Sequence, residues 1–309
     1  MRKTCLDMVY QLAKQDSRIF FIGSDLGTGT LNQFRDEMPD RFLMEGISEA
    51  NIVGLAAGLA MEGKIPYVHT IATFITRRCF EQVVLDLGLH NVKVRLIGAG
   101  GGVVYAPLGP THEAIDDLAI LRTIPNMTIV APADADEMRR VMPLTVDHPG
   151  PMYIRLAKGF DPVVTADGPP IVIGKALAMR RGRDALVVTT GITLKLALDA
   201  AAALANDGIE VSVVHVPTIK PLDRETLAAE IARVAIVVTV EEHTIIGGLG
   251  SAIAEIIAEE GFTPAKRFKR IGIPDVFPDG YGSQASLMAR YGITAEAVGS
   301  AIRAAMATL

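Results

Sequence analysis

The sequence predicts an α/β protein made of two doubly wound domains with mainly parallel sheets. Three observations carry that reading. Short apolar runs alternate with longer amphipathic ones along the chain, the pattern of a parallel sheet covered by helices. The 309 residues are too many for one ordinary core and suit two α/β domains. A stretch rich in Gly, Pro and Asp, AKGFDPVVTADGPP, then breaks the rhythm near the middle. The chain therefore divides into a domain at 1–158, a linker at 159–172 and a second domain at 173–309.

In the first domain, RIFFIG (18–23), IPYVHTI (65–71), VKVRLIG (92–98), MTIVAP (127–132) and MYIRLA (152–157) read as strands. Helical spacing fills 3–14, 49–62, 75–90, 114–123 and 134–147 between them. In the second, ALVVTTG (185–191), IEVSVVHV (209–216) and AIVVTVEE (235–242) read as buried strands. Its helices are expected at about 192–206, 223–232, 248–260 and 294–308.

Composition excludes several classes of function. The net charge of −5, with both signs interspersed, argues against nucleic-acid and anionic-membrane partners. Two cysteines, Cys5 and Cys79, fit a reducing compartment better than a disulfide framework. The start, MRKTCLDMVYQLAKQ, has no continuous apolar core of the signal-peptide kind, and no run reaches membrane-spanning length. A cytoplasmic protein is the expectation. A mean hydropathy of +0.33 is high for a soluble monomer and hints at surface covered by another subunit.

Glu49 opens the candidate site. It stands at the start of the small-residue helix in GISEANIVGLAAGLAMEG. One reading is a first-turn acid favoured by the helix dipole behind a Ser48 cap. The other is a poorly solvated carboxyl that shares a proton, with Gly54, Ala56, Ala57, Gly58 and Ala60 allowing close packing on the helix. Phe74 in ATFITRR reads either as a core aromatic or as a ligand contact. His112 in GPTHE is one of six histidines, and most lone histidines are satisfied surface groups. Arg155 ends a predicted strand, where open α/β sheets place ligands, although a surface ion pair is the plainer reading. Asp25 also ends a strand and could serve only as a turn cap. The run GAGGGVV (98–104) has neither the Lys-Ser/Thr of a phosphate loop nor G-x-G-x-x-G spacing, and reads as a flexible connection rimming the site. No Cys/His group has zinc spacing.

Taken together, GISEANIVGLAAGLA, ATF, GPTHEAIDDLAILRTIPNMTIVAPAD and YIRLAKG resemble the pyrimidine-binding domain of the transketolase family. PLD (221–223) and VEEHTIIGGLGSAI (240–253) are similar to that family's C-terminal domain, and 1-deoxyxylulose-5-phosphate synthases share much of the pattern. The resemblance implies that Glu49 hydrogen-bonds N1′ of the aminopyrimidine of thiamine diphosphate and that Phe74 stacks on that ring. It implies an active-site role for His112 at substrate oxygens, a phosphate contact for Arg155, and a place near the cofactor for Asp25. Arg77 stands where transketolases tend to carry an aromatic and the deoxyxylulose synthases an arginine, so it faces either cofactor or substrate. Leu108 replaces the aspartate that the family pattern has four residues before the histidine, which puts ordinary sugar-phosphate specificity in doubt.

The family holds the cofactor diphosphate and Mg²⁺ through a Gly-Asp-Gly motif, and this sequence contains none. The resemblance therefore implies the C-terminal subunit of a split transketolase, completed by an N-terminal subunit carrying the diphosphate domain and the Mg²⁺ ligands, in an α2β2 assembly. The expected activity is transfer of a two-carbon ketol unit from a ketose to an aldose, with sugar phosphates or other anionic sugars as substrates. A β-subunit of a 2-oxoacid dehydrogenase and a deoxyxylulose-phosphate-synthase-like carboligase are the alternative enzymes. A decayed regulatory module is the non-enzymatic alternative, opposed by the retention of Glu49, Phe74, His112 and Arg155.

Overall fold

The computed structural model describes residues 1–24, 31–157, 159, 161–166 and 168–308. The first sheet contains β1 (Ile19–Gly23), β2 (Phe42–Met44), β3 (Ile65–Ile71), β4 (Arg95–Ala99), β5 (Thr128–Val130) and β6 (Met152–Leu156). The second contains β7 (Leu177–Arg180), β8 (Ala185–Thr189), β9 (Val211–His215), β11 (Ile236–Thr244) and β12 (Arg267–Ile273). One strand from the second half, β10 (Thr218–Lys220), joins the first sheet at its edge, giving the order β10-β5-β6-β4-β3-β1-β2. The second sheet runs β12-β11-β8-β9-β7. Among the described residues every strand pair is parallel except β5–β10 and β7–β9. The protein is thus two α/β domains with mainly parallel mixed sheets.

Burial explains why the central strands are apolar from end to end. All seven residues of β3 are buried, because helices cover both faces of the sheet. Pro66 is tolerated there for a local reason. Ile65 donates its N–H to Arg18 on the β1 side, so the missing N–H of Pro66 faces β4, whose ladder begins only at Tyr67. Arg95 in β4 is fully buried although it is a strand arginine. Its guanidinium donates to the carbonyls of Thr145 at 2.7 Å, Gly150 at 2.5 Å and His148 at 2.5 Å, finishing the helix Ala135–Thr145 with a cation at its negative end.

Four strands lie outside the sequence expectation. β2 and β10 are three residues long, and β10 is hidden between Pro217 and Pro221. β7 buries only its first residue fully, while β12 alternates Arg267 and Lys269 with half-buried neighbours. The helix expected over 75–90 is broken into Ala72–Thr76, Phe80–Gln82 and a π-helical segment Val83–Leu89. The helix expected over 114–123 begins only at Asp117, because Ala114 is held as a bridge to Gly101 and Gly102.

One apolar core crosses from Ile22, Val68 and Leu96 in the first domain to Leu186, Val214 and Leu249 in the second. A polar network runs beside it. Asp117 accepts from Arg155 Nε at 2.8 Å and Nη2 at 2.9 Å, and from the Tyr153 hydroxyl at 2.7 Å. Arg155 Nη2 also reaches the carbonyls of Ala114 and, across the domain boundary, Glu242. Burial disfavours both charges, yet Arg155, with His243 behind it, holds Asp117 below the usual carboxylate range. In VEEH, Glu241 accepts from the N–H groups of Leu249 and Gly250 at the start of the helix Leu249–Glu260. Glu242 accepts from Val103 N and Gln284 Nε2, both at 2.9 Å.

The glycine run lies over this network and is pinned, not a loose rim. A Cβ on Gly101 would fall 2.5 Å from Arg155 Nε, and one on Gly102, whose φ is +73°, would fall 2.4 Å from the Glu242 carboxyl carbon. Only glycine allows the backbone that close.

Replacing Asp117 by Ala leaves Arg155 buried without its carboxylate, a change expected to cost about 3–5 kcal/mol. The double change Asp117→Leu with Arg155→Met should recover most of that loss. Urea unfolding followed by circular dichroism measures both. A single variant within about 0.5 kcal/mol of the parent, the range of an ordinary surface substitution, would show that the pair does not hold the domains.

Candidate active site

Glu49 begins the helix Glu49–Met61 and its side chain is only 1% exposed. Ser48 precedes it, but the Ser48 hydroxyl donates to Glu45 O at 3.0 Å and gives the helix no side-chain cap. The carboxylate faces β3, where Thr70 Oγ1 lies 3.3 Å from Oε1 and itself accepts from Ser24 Oγ at 2.9 Å. The small residues do not all pack inward. Ala56 and Ala57 are buried, whereas Gly54 and Gly58 face outward with almost nothing near them.

Phe74 follows β3 in the short helix Ala72–Thr76 and is half-buried. His112 meets it at a steep angle, with ring centroids 5.2 Å apart and planes at 65°. The Gly109 turn, φ +76°, sets the histidine's approach, and Thr73 Oγ1 donates to the His112 carbonyl at 3.0 Å. Thr111 Oγ1 lies 2.9 Å from His112 Nδ1 and orients the ring. Glu49, Phe74 and His112 therefore gather along the carboxyl end of β3 and the loops beside it, where ligands bind in open α/β sheets.

Sequence reasoning missed the fourth member of this group, Arg78. Its Nη1 lies 2.7 Å from Glu49 Oε2, and its guanidinium carbon lies 3.9 Å from the Phe74 ring centroid. The available signal is the Arg77-Arg78 pair itself, one helical turn after Phe74, of which only Arg77 stands out against the family pattern. Arg77 faces Asp116 at 3.7 Å and a cleft of about 330 Å³ between the domains, lined also by Ile115, Thr244, Ile246 and Phe277.

The remaining expectations divide. Arg155 is 8% exposed and donates to Asp117, Ala114 O and Glu242 O, so this geometry does not present it to a substrate phosphate. The strand end is covered by the second domain, and the guanidinium holds the domain contact, so the phosphate role expected of Arg155 rests on the resemblance alone. Leu108 is half-exposed at the end of the turn Ala106–Leu108 and lines a separate cavity of about 280 Å³ with Tyr105 and Arg2. Asp25 lies outside the described residues. No group of three metal-ligating side chains occurs among the described residues.

Glu113, next to His112, was also missed. Its side chain is buried, neither oxygen has a hydrogen-bond partner among the described residues, and burial pushes the carboxyl up to about 7.

Comparisons with known proteins place the chain in a family. Residues 1–160 match the transketolase pyrimidine-binding domain and residues 174–298 the transketolase C-terminal domain. The chain belongs to the transketolase family. A 6-deoxy-6-sulfo-D-fructose transketolase subunit from Clostridium is 36% identical, over 96% of this chain and 92% of the relative. An apulose-4-phosphate transketolase subunit from Phocaeicola vulgatus is also 36% identical, over 96% and 94%. A 1-deoxy-D-xylulose-5-phosphate synthase from Syntrophotalea carbinolica is 40% identical over 94% of this chain, which spans 46% of that enzyme. Among solved structures, a split gene transketolase described as an inactive beta4 tetramer superposes with a TM-score of 0.90. It is 35% identical and covers 99% of this chain and 98% of its own.

The Glu113 carboxyl gives a pH test with a definite sign. It titrates near 4.5 when unfolded and near 7 when folded. Between those values the folded chain binds more protons, so stability falls as pH rises and stays lower above 7. Glu113→Gln removes that penalty. Its stability gain should be near zero at pH 4 and about 3 kcal/mol at pH 8. Chemical denaturation at the two pH values measures it, and an equal effect at both would place the carboxyl in an ordinary environment.

Proposed function

We propose that this chain is the thiamine-diphosphate pyrimidine-binding subunit of a split transketolase that moves a two-carbon ketol unit between sugars. The observation that carries the reading is the pairing of Glu49 with Phe74. A buried carboxylate and an aromatic face together grip one planar, hydrogen-bonding cation, here the guanidinium of Arg78. The same pair suits an aminopyrimidine, with Glu49 at its edge and Phe74 on its face.

When bound, thiamine diphosphate supplies a carbon nucleophile for breaking and making a C–C bond next to a carbonyl. The residues of this chain do the rest. Glu49 holds a proton at N1′, with Thr70 and Ser24 fixing its Oε1 side. Phe74 sets the plane of the ring, and the apolar packing behind it excludes water. His112, held by Thr73 and Thr111 against the edge of Phe74, binds substrate oxygens and moves protons to or from them. Arg77 is the available cation for an anionic substrate group, because its Asp116 partner is 3.7 Å away and its cleft is open. With Leu108 in place of a carboxylate, the site discriminates poorly at the substrate hydroxyl that the family aspartate reads.

Mg²⁺ and the cofactor diphosphate are assigned to a second, N-terminal subunit in an α2β2 assembly, in a cytoplasmic setting. The relatives named as subunits support this division. So does the surface of the helix Glu49–Met61, where Gly54 and Gly58 face outward and Ile47, just before it, is 70% exposed. Apolar surface of this kind suits a subunit contact.

The isolated chain is expected to show no ketol transfer with excess thiamine diphosphate and Mg²⁺, and to gain turnover when the second subunit is titrated in. Turnover by the mass-verified single chain would reject the split assignment. In the complex, Glu49→Gln keeps size and most hydrogen bonds but removes the acid. Hydrogen–deuterium exchange at thiamine C2, read by NMR after acid quench, should slow by about 10²–10⁴-fold, the range for a positioned acid or base. An unchanged rate in a fully loaded complex would return Glu49 to the role of a helix-start residue.

A further inference from the structure

Glu49 and Phe74 have one ligand to share, and in the free chain a single side chain holds both. Arg78 Nη1 donates to Glu49 Oε2 at 2.7 Å while its Cζ lies 3.9 Å from the Phe74 ring centroid. Among side chains, guanidinium is the closest analogue of a protonated aminopyrimidine: flat, delocalised, with N–H donors in its plane and a face that stacks on aromatics. One aromatic face and one carboxylate oxygen cannot serve two such groups at once.

We propose that Arg78 is an internal occupant of the pyrimidine seat, an intrasteric contact that the incoming cofactor displaces. The proposal rests on the assignment of Glu49 and Phe74 to the aminopyrimidine.

The arrangement suits that task in three ways. Arg78 sits one helical turn after Phe74, so rotation about its own side-chain bonds moves it on or off the ring without moving the backbone. It is 44% exposed, so a released guanidinium returns to water, and an ion pair with one exposed partner is weak enough to exchange. Glu49, by contrast, is 1% exposed, and its one other side-chain hydrogen bond among the described residues is the 3.3 Å contact from Thr70. A buried carboxylate left so poorly partnered is costly. Arg78 therefore keeps Glu49 satisfied in the empty site and hands it over when the ring arrives. In this respect Arg78 differs from its neighbour Arg77, which is directed to Asp116 and takes no part in the exchange.

Two measurements test the proposal. In the full chain carrying ¹⁵N-labelled arginine, the Arg78 Nε–H signal, assigned by its loss in Arg78→Ala, should be ring-current shifted. The shift should collapse in Phe74→Ala and weaken in Glu49→Gln. A signal at the position of a freely exposed arginine would overturn the occupancy. The second is calorimetric titration of thiamine diphosphate with Mg²⁺ into the chain assembled with its diphosphate-binding subunit. Arg78→Ala and Arg78→Gln should each tighten binding about tenfold, or about 1.4 kcal/mol. Unchanged or weaker binding in both variants would overturn the proposal. A Glu49→Ala, Phe74→Ala double variant separates the two levels. If it binds as the parent does, the pyrimidine assignment itself fails. If it loses binding while the Arg78 variants are unchanged, only the occupancy fails.

Discussion

The buried pair of Asp117 and Arg155 is the constraint on which the rest of the arrangement depends. Both groups lie out of water, where an unpaired charge costs several kcal/mol, on the order of a buried ion's desolvation. Their positions are therefore not free. Arg155 must reach Asp117, Ala114 O and Glu242 O together, and these acceptors come from a helix start, a bridge residue and a strand of the other domain. Satisfying one guanidinium fixes the first sheet against the second. It also fixes Ala114, and with it the short segment that carries Glu113 and His112 toward Phe74.

A buried ion pair is weak evidence for stability as such, since apolar groups of the same volume often do as well. Its contribution here is geometric. The domains already share an apolar core through Ile22, Val68, Leu186 and Leu249, and such contacts tolerate sliding. The Arg155 and Glu242 hydrogen bonds do not, because a small displacement strands a charge. The pinned glycine run follows from the same demand: Gly101 and Gly102 pass over Arg155 and Glu242 at distances that leave no room for a side chain. A site that needs His112 held against the edge of Phe74 gains from a boundary with one allowed register.

Most of the architecture was legible because parallel strands buried on both faces must be apolar throughout, and each of the eight runs read as a strand became one. The short edge strands were not legible. β10 is three residues between prolines, and its pairing with β5 is made by a chain segment that had already left the first domain. The site was legible to the extent that it is local in sequence. Glu49 and Phe74 stand in recognisable stretches, and the structure brings both into contact with one side chain, Arg78. The domain contact of Arg155 was not legible, because a strand end predicts ligand access only when nothing covers it, and what covers it is VEEH, almost ninety residues away in the chain. Arg78 was missed for the opposite reason: it is close in sequence, but its direction depends on how the helix continues past Thr76.

Among the described residues, Arg78 apart, the Glu49 carboxylate meets a single hydroxyl, from Thr70, at a distance that makes a weak bond. Under the proposed assignment, a pocket shaped for a ring that another subunit helps to hold is, in the free chain, a pocket with an unmet demand. Burial makes the demand severe, and the Phe74 face beside it makes it specific, since whatever answers both must bring N–H groups and a flat face. The guanidinium of Arg78 answers both conditions from an exposed backbone position. The chemistry that selects the ligand therefore also selects its substitute, and any residue able to stand in for the ring must also be able to leave.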